Sequence, residues 1–124
     1  MKTNLVLTGN TEILDKEYNN ILSGEWCLQN KNFKNKIADV NYKVIQYHWS
    51  DIEKKKKDFV YLNDLYPRLL KSFCNFLNFY HKTNKPERYW HIIIGPWLEK
   101  SLPILYDRWE TIKFLISKNK FDKI

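Results

Sequence analysis

Two residues suited to acid–base chemistry, Glu25 and His48, each come at the end of a short apolar run of the chain. In an open parallel sheet, side chains that follow the carboxyl ends of neighbouring strands meet at one edge, where ligands commonly bind. A carboxylate and an imidazole at that edge could act as an acid–base pair or hold an acceptor substrate. Glu25 and His48 are therefore the candidate catalytic residues, and Trp26, Trp49 and Asp51 beside them are the candidate ligand-binding residues.

A structural interpretation of the same residues stays open. Glu25 and His48 could instead hydrogen-bond the loops that carry them. Trp26 and Trp49 could fill the seam between the sheet and a helix, because large aromatic side chains most often contribute to cores. These alternatives differ in burial, since a core residue is enclosed and a ligand-binding residue is accessible.

Three other kinds of site have weaker patterns. Cys27, His48 and Asp51 have the residue types of a thiol nucleophile, but their spacing matches no protease signature and Cys is often buried. His48, His81 and His91 lack the spacing of paired metal ligands, so no metal site is predicted. The chain has neither a Gly-x-Gly-x-x-Gly nor a Gly-Lys-Ser/Thr motif, so no cofactor is predicted to bind within it.

The elements that would position these side chains are short strands. Apolar or β-branched runs at Asn4–Thr8, Ile21–Cys27 and Val44–Trp49 predict three strands. Their spacing of about 20 residues suits parallel strands joined by crossovers better than hairpins. An α/β fold is predicted, with short parallel strands in the first half and helices in the second, forming a partial Rossmann-like lobe.

The second half has the three-and-four spacing of amphipathic helices. A capping box at Ser50–Glu53 predicts that the first helix starts with Ser50 as its N-cap. Pro67 predicts a kink or a junction between two helices. Gly95 and Pro96 suit the cap and first turn of a later helix. The segment Tyr89–Ile94 is ambiguous, and its continuity with that later helix favours helix over strand.

Length and composition restrict the remaining classes. The chain has 124 residues, enough for one domain over residues 1–124, and its net charge is +7. Of the 21 basic residues 18 are Lys, spread along the chain, so specific nucleic-acid binding is not predicted. No apolar run is long enough for a signal peptide or a transmembrane helix. The predicted location is the cytoplasm, with a peripheral position at the inner membrane as the alternative.

Several short motifs together resemble the N-terminal region of a family of transferases associated with O-antigen and other bacterial surface-polysaccharide gene clusters. The motifs that carry the resemblance, in order, are Gly24–Cys27, Tyr47–Asp51, Asp58 with Tyr61–Leu62 and Leu65–Tyr66, Leu77–His81, Arg88–Trp90, Gly95–Leu98 and Asp107–Arg108. The family pattern has Asp-Asp-Arg after His-Trp, whereas this chain has Ser50, Asp51 and Ile52.

The resemblance implies a glycosyltransferase-like, two-lobed protein of which this chain is the N-terminal, acceptor-side portion. An activated, nucleotide-linked donor would then bind a C-terminal lobe or a partner chain, and a saccharide would be the acceptor. His48 is the preferred base and Glu25 its companion. The alternative is a non-catalytic interaction module that docks a partner protein through exposed aromatic residues. If a companion lobe normally covers this chain, we expect an exposed apolar surface on the C-terminal helix, at Trp109, Ile112, Leu115 and Ile116.

Overall fold

The computed structural model describes residues 2–29 and 37–124 and contains a parallel sheet. The strands β1 (Thr3–Val6), β2 (Asn19–Leu22) and β3 (Tyr42–Val44) lie in the order β1-β2-β3. On the outer side of β1, the N–H of Leu5 donates to the carbonyl of Lys123 (2.9 Å), so the C-terminal segment runs parallel to β1 and covers its edge. The predicted α/β layout of short parallel strands followed by helices is confirmed.

Two long helices make up most of the second half. Helix α1 spans Ile52–Tyr80 and helix α2 spans Glu87–Lys118. Neither they nor the other described helices, in residues 2–29 and 37–124, hold a stretch that meets the length and hydropathy needed to cross a membrane. The preference for helix at Tyr89–Ile94 is confirmed, because that segment lies inside α2.

The chain divides into two compact units. The sheet unit consists of residues 1–50 and 110–124, and the helical unit consists of residues 51–109. The prediction of one domain over residues 1–124 stays a prediction, because compact units can belong to one domain.

Alternation along the strands gives the sheet unit a core on each face. On one face Leu5 and Ile21 pack against Leu115, which is fully buried near the end of α2. On the other face Val6 and Leu22 pack against Cys27 and further partly buried side chains. The prediction that Leu115 belongs to an exposed surface is therefore wrong, although Trp109 and Ile116 are exposed. A strand buried on both faces needs apolar residues at successive positions, which explains the short continuous runs in the sequence.

The strands are shorter than their patterns predict. β2 ends at Leu22, and the N–H of Ser23 still donates to the carbonyl of Val6 (3.0 Å) before the chain leaves the sheet at Gly24. Among the described residues, the last bond from the β3 segment to β2 runs from the N–H of Ile45 to the carbonyl of Leu22 (3.1 Å). The predicted strand Val44–Trp49 is therefore wrong over most of its length, and residues 48–50 form a 3₁₀ turn instead. The same loss of pairing moves the candidate site residues out of strands and into turns.

Both predicted helix starts are corrected. Asp51, not Ser50, caps α1, because its Oδ1 accepts from the N–H of Glu53 (3.0 Å) and of Lys54 (3.1 Å). Ser50 belongs to the preceding 3₁₀ turn. Pro96 lies inside α2 rather than in its first turn, because the helix has already begun at residue 87.

Pro67 lies inside α1, which continues through it as a single helix, so the alternative of two abutting helices is wrong. Tertiary packing on the apolar face supports the helix where the proline removes a hydrogen bond. In the helical unit this packing joins Leu70 and Cys74 of α1 to Trp90 and Leu98 of α2.

Candidate functional site

Glu25 begins a 3₁₀ turn, residues 25–28, that directly follows β2. Its side chain is exposed, so its carboxylate is accessible to solvent. The turn is fixed by the residues on either side of Glu25. The ring of Trp26 lies against Gly24 so closely that a Cβ on Gly24 would come within 2.1 Å of ring carbon Cζ3. A glycine is therefore required there, and the packing fixes the backbone that carries Glu25.

Trp26 also packs against the buried cluster formed by Val6, Leu22 and Cys27. It is only partly buried, so it combines the predicted structural role with a remaining accessible part. Cys27 itself is fully buried, with Sγ 3.7 Å from the Ser23 hydroxyl and 3.7 Å from the carbonyl oxygen of Val6. A thiol enclosed in this way fits a core residue and not an accessible nucleophile.

His48 lies in a 3₁₀ turn, residues 48–50, that follows β3 after a short connection. Its ring centroid is 5.1 Å from that of Tyr47 and 5.0 Å from that of Trp49. His48 and Trp49 are both half-buried, whereas Tyr47 is exposed. The three rings therefore form a compact aromatic group, and an imidazole held by its neighbours is oriented rather than free to rotate.

The parallel arrangement of β2 and β3 brings the two turns to the same edge of the sheet. Glu25 comes three residues after the end of β2 and His48 comes four residues after the end of β3. The carboxyl ends of neighbouring parallel strands point the same way, so both turns extend from that edge. An accessible carboxylate and a half-buried imidazole there have the chemistry for proton transfer and for holding hydroxyl groups.

Asp51 has a defined structural role in the helical unit. Its Oδ1 accepts the two backbone N–H groups at the start of α1, and an acidic side chain at a helix N-terminus is also favoured by the helix dipole. The sequence analysis gave this capping role to Ser50 instead. Asp51 therefore belongs to the helical unit as a cap, whereas the other four candidate site residues belong to the sheet unit.

Polar groups of the helical unit were not predicted as site residues. Asp58 is buried, and its carboxylate pairs with the ammonium of Lys54 and accepts from the hydroxyl of Tyr106 (3.0 Å). Burial raises the pKa of the Tyr66 hydroxyl, and the negative charge of Glu99 raises it further. For Tyr66, the available sequence signal was the pair Gly95 and Pro96 inside α2, because a glycine in a helix marks a position that other groups can approach closely.

Burial also raises the pKa of the Cys74 thiol, with a further contribution from Glu87. Cys74 belongs to the buried cluster of the helical unit, so a low-pKa nucleophile is not formed there. Within residues 2–29 and 37–124, no three His, Cys, Asp or Glu side chains come together in a way that could hold a metal ion.

The comparisons with known proteins identify a family. No curated protein and no solved structure matches the chain. The family model described as LIC12162 family transferase matches residues 3–124. The match extends over nearly the whole chain, including both units and the turns that carry Glu25 and His48. The chain therefore belongs to the LIC12162 family of transferases.

Proposed function

We propose that this chain takes part in a glycosyl-transfer reaction of bacterial surface-polysaccharide or O-antigen synthesis, and that it supplies the acceptor side of the active site. Membership of a transferase family supports the reaction class. The motifs that resemble transferases of polysaccharide gene clusters support the substrate class. The reaction takes place in the cytoplasm or at the inner face of the inner membrane.

The observation that carries the proposal is the placement of Glu25 and His48 in turns that follow two adjacent parallel strands. In open parallel sheets this edge is where loops commonly build ligand sites. One of the two side chains is exposed and the other is half-buried among aromatic rings, which is the difference expected between a binding carboxylate and an oriented base.

In the proposed step, His48 accepts the proton of an acceptor hydroxyl as that oxygen forms a bond to the transferred group. The bond from the transferred group to its leaving group breaks, and the leaving group departs with the electron pair. Glu25 accepts a hydrogen bond from a second hydroxyl of the acceptor and fixes its orientation. A general base of this kind typically contributes a factor of about 10² to 10⁴ to the rate.

The two predicted tryptophans contribute to binding in this proposal. The accessible parts of the Trp26 and Trp49 rings pack on the apolar faces of the acceptor saccharide. Asp51 keeps its role as the cap of α1 in the helical unit. The activated, nucleotide-linked donor is bound by a further lobe or by a partner chain.

The test replaces each candidate catalytic residue with Gln in the intact protein. Glu25→Gln and His48→Gln are introduced into a strain that depends on this protein for surface polysaccharide, and polysaccharide output and melting temperature are both measured. The matched controls are Glu17→Gln, which lies just before β2 rather than after it, and His81→Gln on the helical unit. We expect polysaccharide output to fall at least about a hundredfold with either test variant, with little change in melting temperature.

Two results would contradict the proposal. Unchanged polysaccharide output with both test variants would remove Glu25 and His48 from the reaction. A large fall in melting temperature with either variant would indicate that the residue is part of the structure, as the alternative interpretation of the sequence holds.

The second candidate function is a non-catalytic interaction module. The observation that favours it is the exposure of aromatic side chains on the helical unit, where Phe79, Tyr80 and Trp97 are all more than half exposed. Exposed aromatic residues are typical of protein interfaces. In that case both Gln variants keep full output, whereas polar replacements of these aromatic residues abolish it.

A further inference from the structure

A groove runs along the helical unit between α1 and α2. It consists of two adjoining cavities of about 290 and 410 Å³, and Tyr66 and Glu99 line both of them. Asn63 and Pro103 line one end, and Arg88, His91 and Pro96 line the other. Every lining residue belongs to the helical unit, so the groove does not include Glu25 or His48. Its combined volume is in the range of small-ligand sites.

The floor of the groove depends on Gly95. This residue is buried, and its carbonyl accepts from the hydroxyl of Tyr66 (3.3 Å). A Cβ at Gly95 would come within 2.4 Å of His91 Cδ2 and within 3.1 Å of the Tyr66 hydroxyl. The ring centroids of Tyr66 and His91 are 6.4 Å apart, because the absence of a side chain at Gly95 lets both rings lie against this part of α2. A glycine in a helix interior costs about 1 kcal/mol relative to alanine, and here it keeps the groove open.

Two prolines add hydrogen-bond acceptors to the wall formed by α2. Pro96 and Pro103 are seven residues apart, so they lie on the same face of the helix, and both line the groove. A proline has no N–H, so it cannot donate to the carbonyl four residues earlier. The carbonyls of Ile92 and Glu99 therefore lose their usual helical donors on this face. With the Glu99 carboxylate, this wall offers three acceptor groups to the hydroxyl groups of a ligand.

The length and charge of the groove restrict its ligand. From Arg88 to Pro103 the helix rises about 22 Å, at about 1.5 Å per residue. The one arginine and the one glutamate among the lining residues cancel in charge. A polyanion would therefore be attracted by Arg88 and repelled by Glu99, so its charge would bring no net advantage in binding. A purely aliphatic chain would cover the polar acceptors without pairing them, which is unfavourable.

We propose that this groove is a binding site for an extended, uncharged oligosaccharide, separate from the sheet-edge site that contains Glu25 and His48. The hydroxyl groups of such a chain donate to the Glu99 carboxylate and to the carbonyls released by the prolines. They also accept from the guanidinium of Arg88. The apolar faces of the sugar rings pack on the rings of Tyr66 and His91. The groove gives a role to Arg88, Gly95 and Pro96 of the Arg88–Trp90 and Gly95–Leu98 motifs, whereas Trp90 and Leu98 belong to the buried cluster of the helical unit.

The proposal is tested with the labelled intact chain on an array of neutral oligosaccharides of two to six rings, followed by titration of the strongest ligand. Tyr66→Leu removes a ring on which the sugar packs, and Glu99→Ala removes a carboxylate that accepts from its hydroxyls. Their matched controls are Tyr61→Leu and Glu53→Ala, which lie outside the groove on the same unit. We expect about a tenfold weaker affinity for each groove variant, the size of one lost hydrogen bond or ring contact, and less than a twofold change for the controls.

Gly95→Ala is a second, independent variant. Its added methyl group meets the His91 ring, which must leave the position in which it packs on the ligand, so binding weakens. The higher helix propensity of alanine keeps the melting temperature close to that of the unmodified protein. Binding that survives all three groove variants would overturn the proposal. So would an array with no neutral oligosaccharide above background, or binding restricted to peptides or anionic chains.

The sheet-edge variants separate this proposal from the proposed function. Glu25→Gln and His48→Gln are expected to keep oligosaccharide binding in the groove while polysaccharide output falls. If these two variants keep both oligosaccharide binding and polysaccharide output, the proposed function is wrong and the inference about the groove is supported. If they lose binding while the groove variants keep it, the ligand occupies the sheet edge and the groove inference is wrong.

Discussion

The buried amide of Asn20 allows a sharp test of what holds the sheet unit together. Its Nδ2 donates to the carbonyls of Asp15 (2.8 Å), Tyr18 (3.0 Å) and Asn41 (3.0 Å). Its Oδ1 accepts from Nδ2 of Asn4, its partner across the β1–β2 pair, at 2.8 Å. Asn20 is fully buried, so these bonds are shielded from water. Replacing the amide with a carboxyl by Asn20→Asp keeps the shape and removes the donors.

The expected cost is large compared with the stability of a small protein. The amide has two N–H groups, shared among the three carbonyls, so at about 1 kcal/mol each their loss costs about 2 kcal/mol, and the new oxygen also faces three carbonyl oxygens. Total stabilities are commonly about 5–15 kcal/mol. Burial without a charge partner also raises the pKa of the introduced carboxyl in the folded state. The penalty is therefore smallest below about pH 4, and stability falls as the pH rises from there toward the raised pKa.

Urea unfolding followed by circular dichroism at pH 4.5 and pH 7 measures this difference against the unmodified protein. The control is Asn19→Asp, the preceding residue of the same strand, whose side chain points to the opposite face and is only partly buried. We expect Asn20→Asp to lose at least about 2 kcal/mol at pH 7 and less at pH 4.5, and Asn19→Asp to change little at either pH. Equal effects of the two variants, or no dependence on pH, would refute the network as the source of stability.

Two further predictions concern the turns that carry the candidate site. Asp51→Ala should lower the unfolding free energy by about 1 kcal/mol in thermal or chemical denaturation, because it removes the cap of α1. Ser50→Ala, the control, should have little effect. A larger loss with Ser50→Ala than with Asp51→Ala would show that Ser50 is the cap. Gly24→Ala should cost about 1–3 kcal/mol, since its methyl group meets the Trp26 ring, and the double variant with Trp26→Ala should cost less than the sum of the two single changes in a double-mutant cycle; strict additivity would show that the ring does not restrict that position.

The sheet could be predicted because burial on both faces produces continuous apolar runs. The runs around Leu5 and Ile21 locate β1 and β2 correctly. The prediction of the third strand at Val44–Trp49 was wrong because a strand extends only as far as a neighbouring strand pairs with it. Residues Gln46–Trp49 have strong strand preferences, but β2 has already turned away through Gly24, and a β-strand without a neighbour leaves its backbone groups unpaired.

The buried Asn pair shows a second limit of patterns. Asn4 and Asn20 occupy the second position of β1 and of β2, where polarity alone predicts solvent exposure. Both are buried, because the loop carbonyls of residues 13–18 that pack on this face need donors. The need arises only when the loop folds over the sheet, so no property of either strand alone could reveal it.

The sequence contains a partial signal for the groove in the helical unit. That signal can be interpreted only once the extent of α2 is known. Read as a chain, Gly95 and Pro96 look like a helix start, because glycine and proline are common there. Once Trp90 packs into the helical core, the helix has begun earlier, and the same two residues lie inside it. Gly95, Pro96 and Pro103 then lie inside the helix, on the side that lines the groove. They remove side-chain bulk and backbone donors from the surface that faces Tyr66, which is what a site rich in acceptors requires.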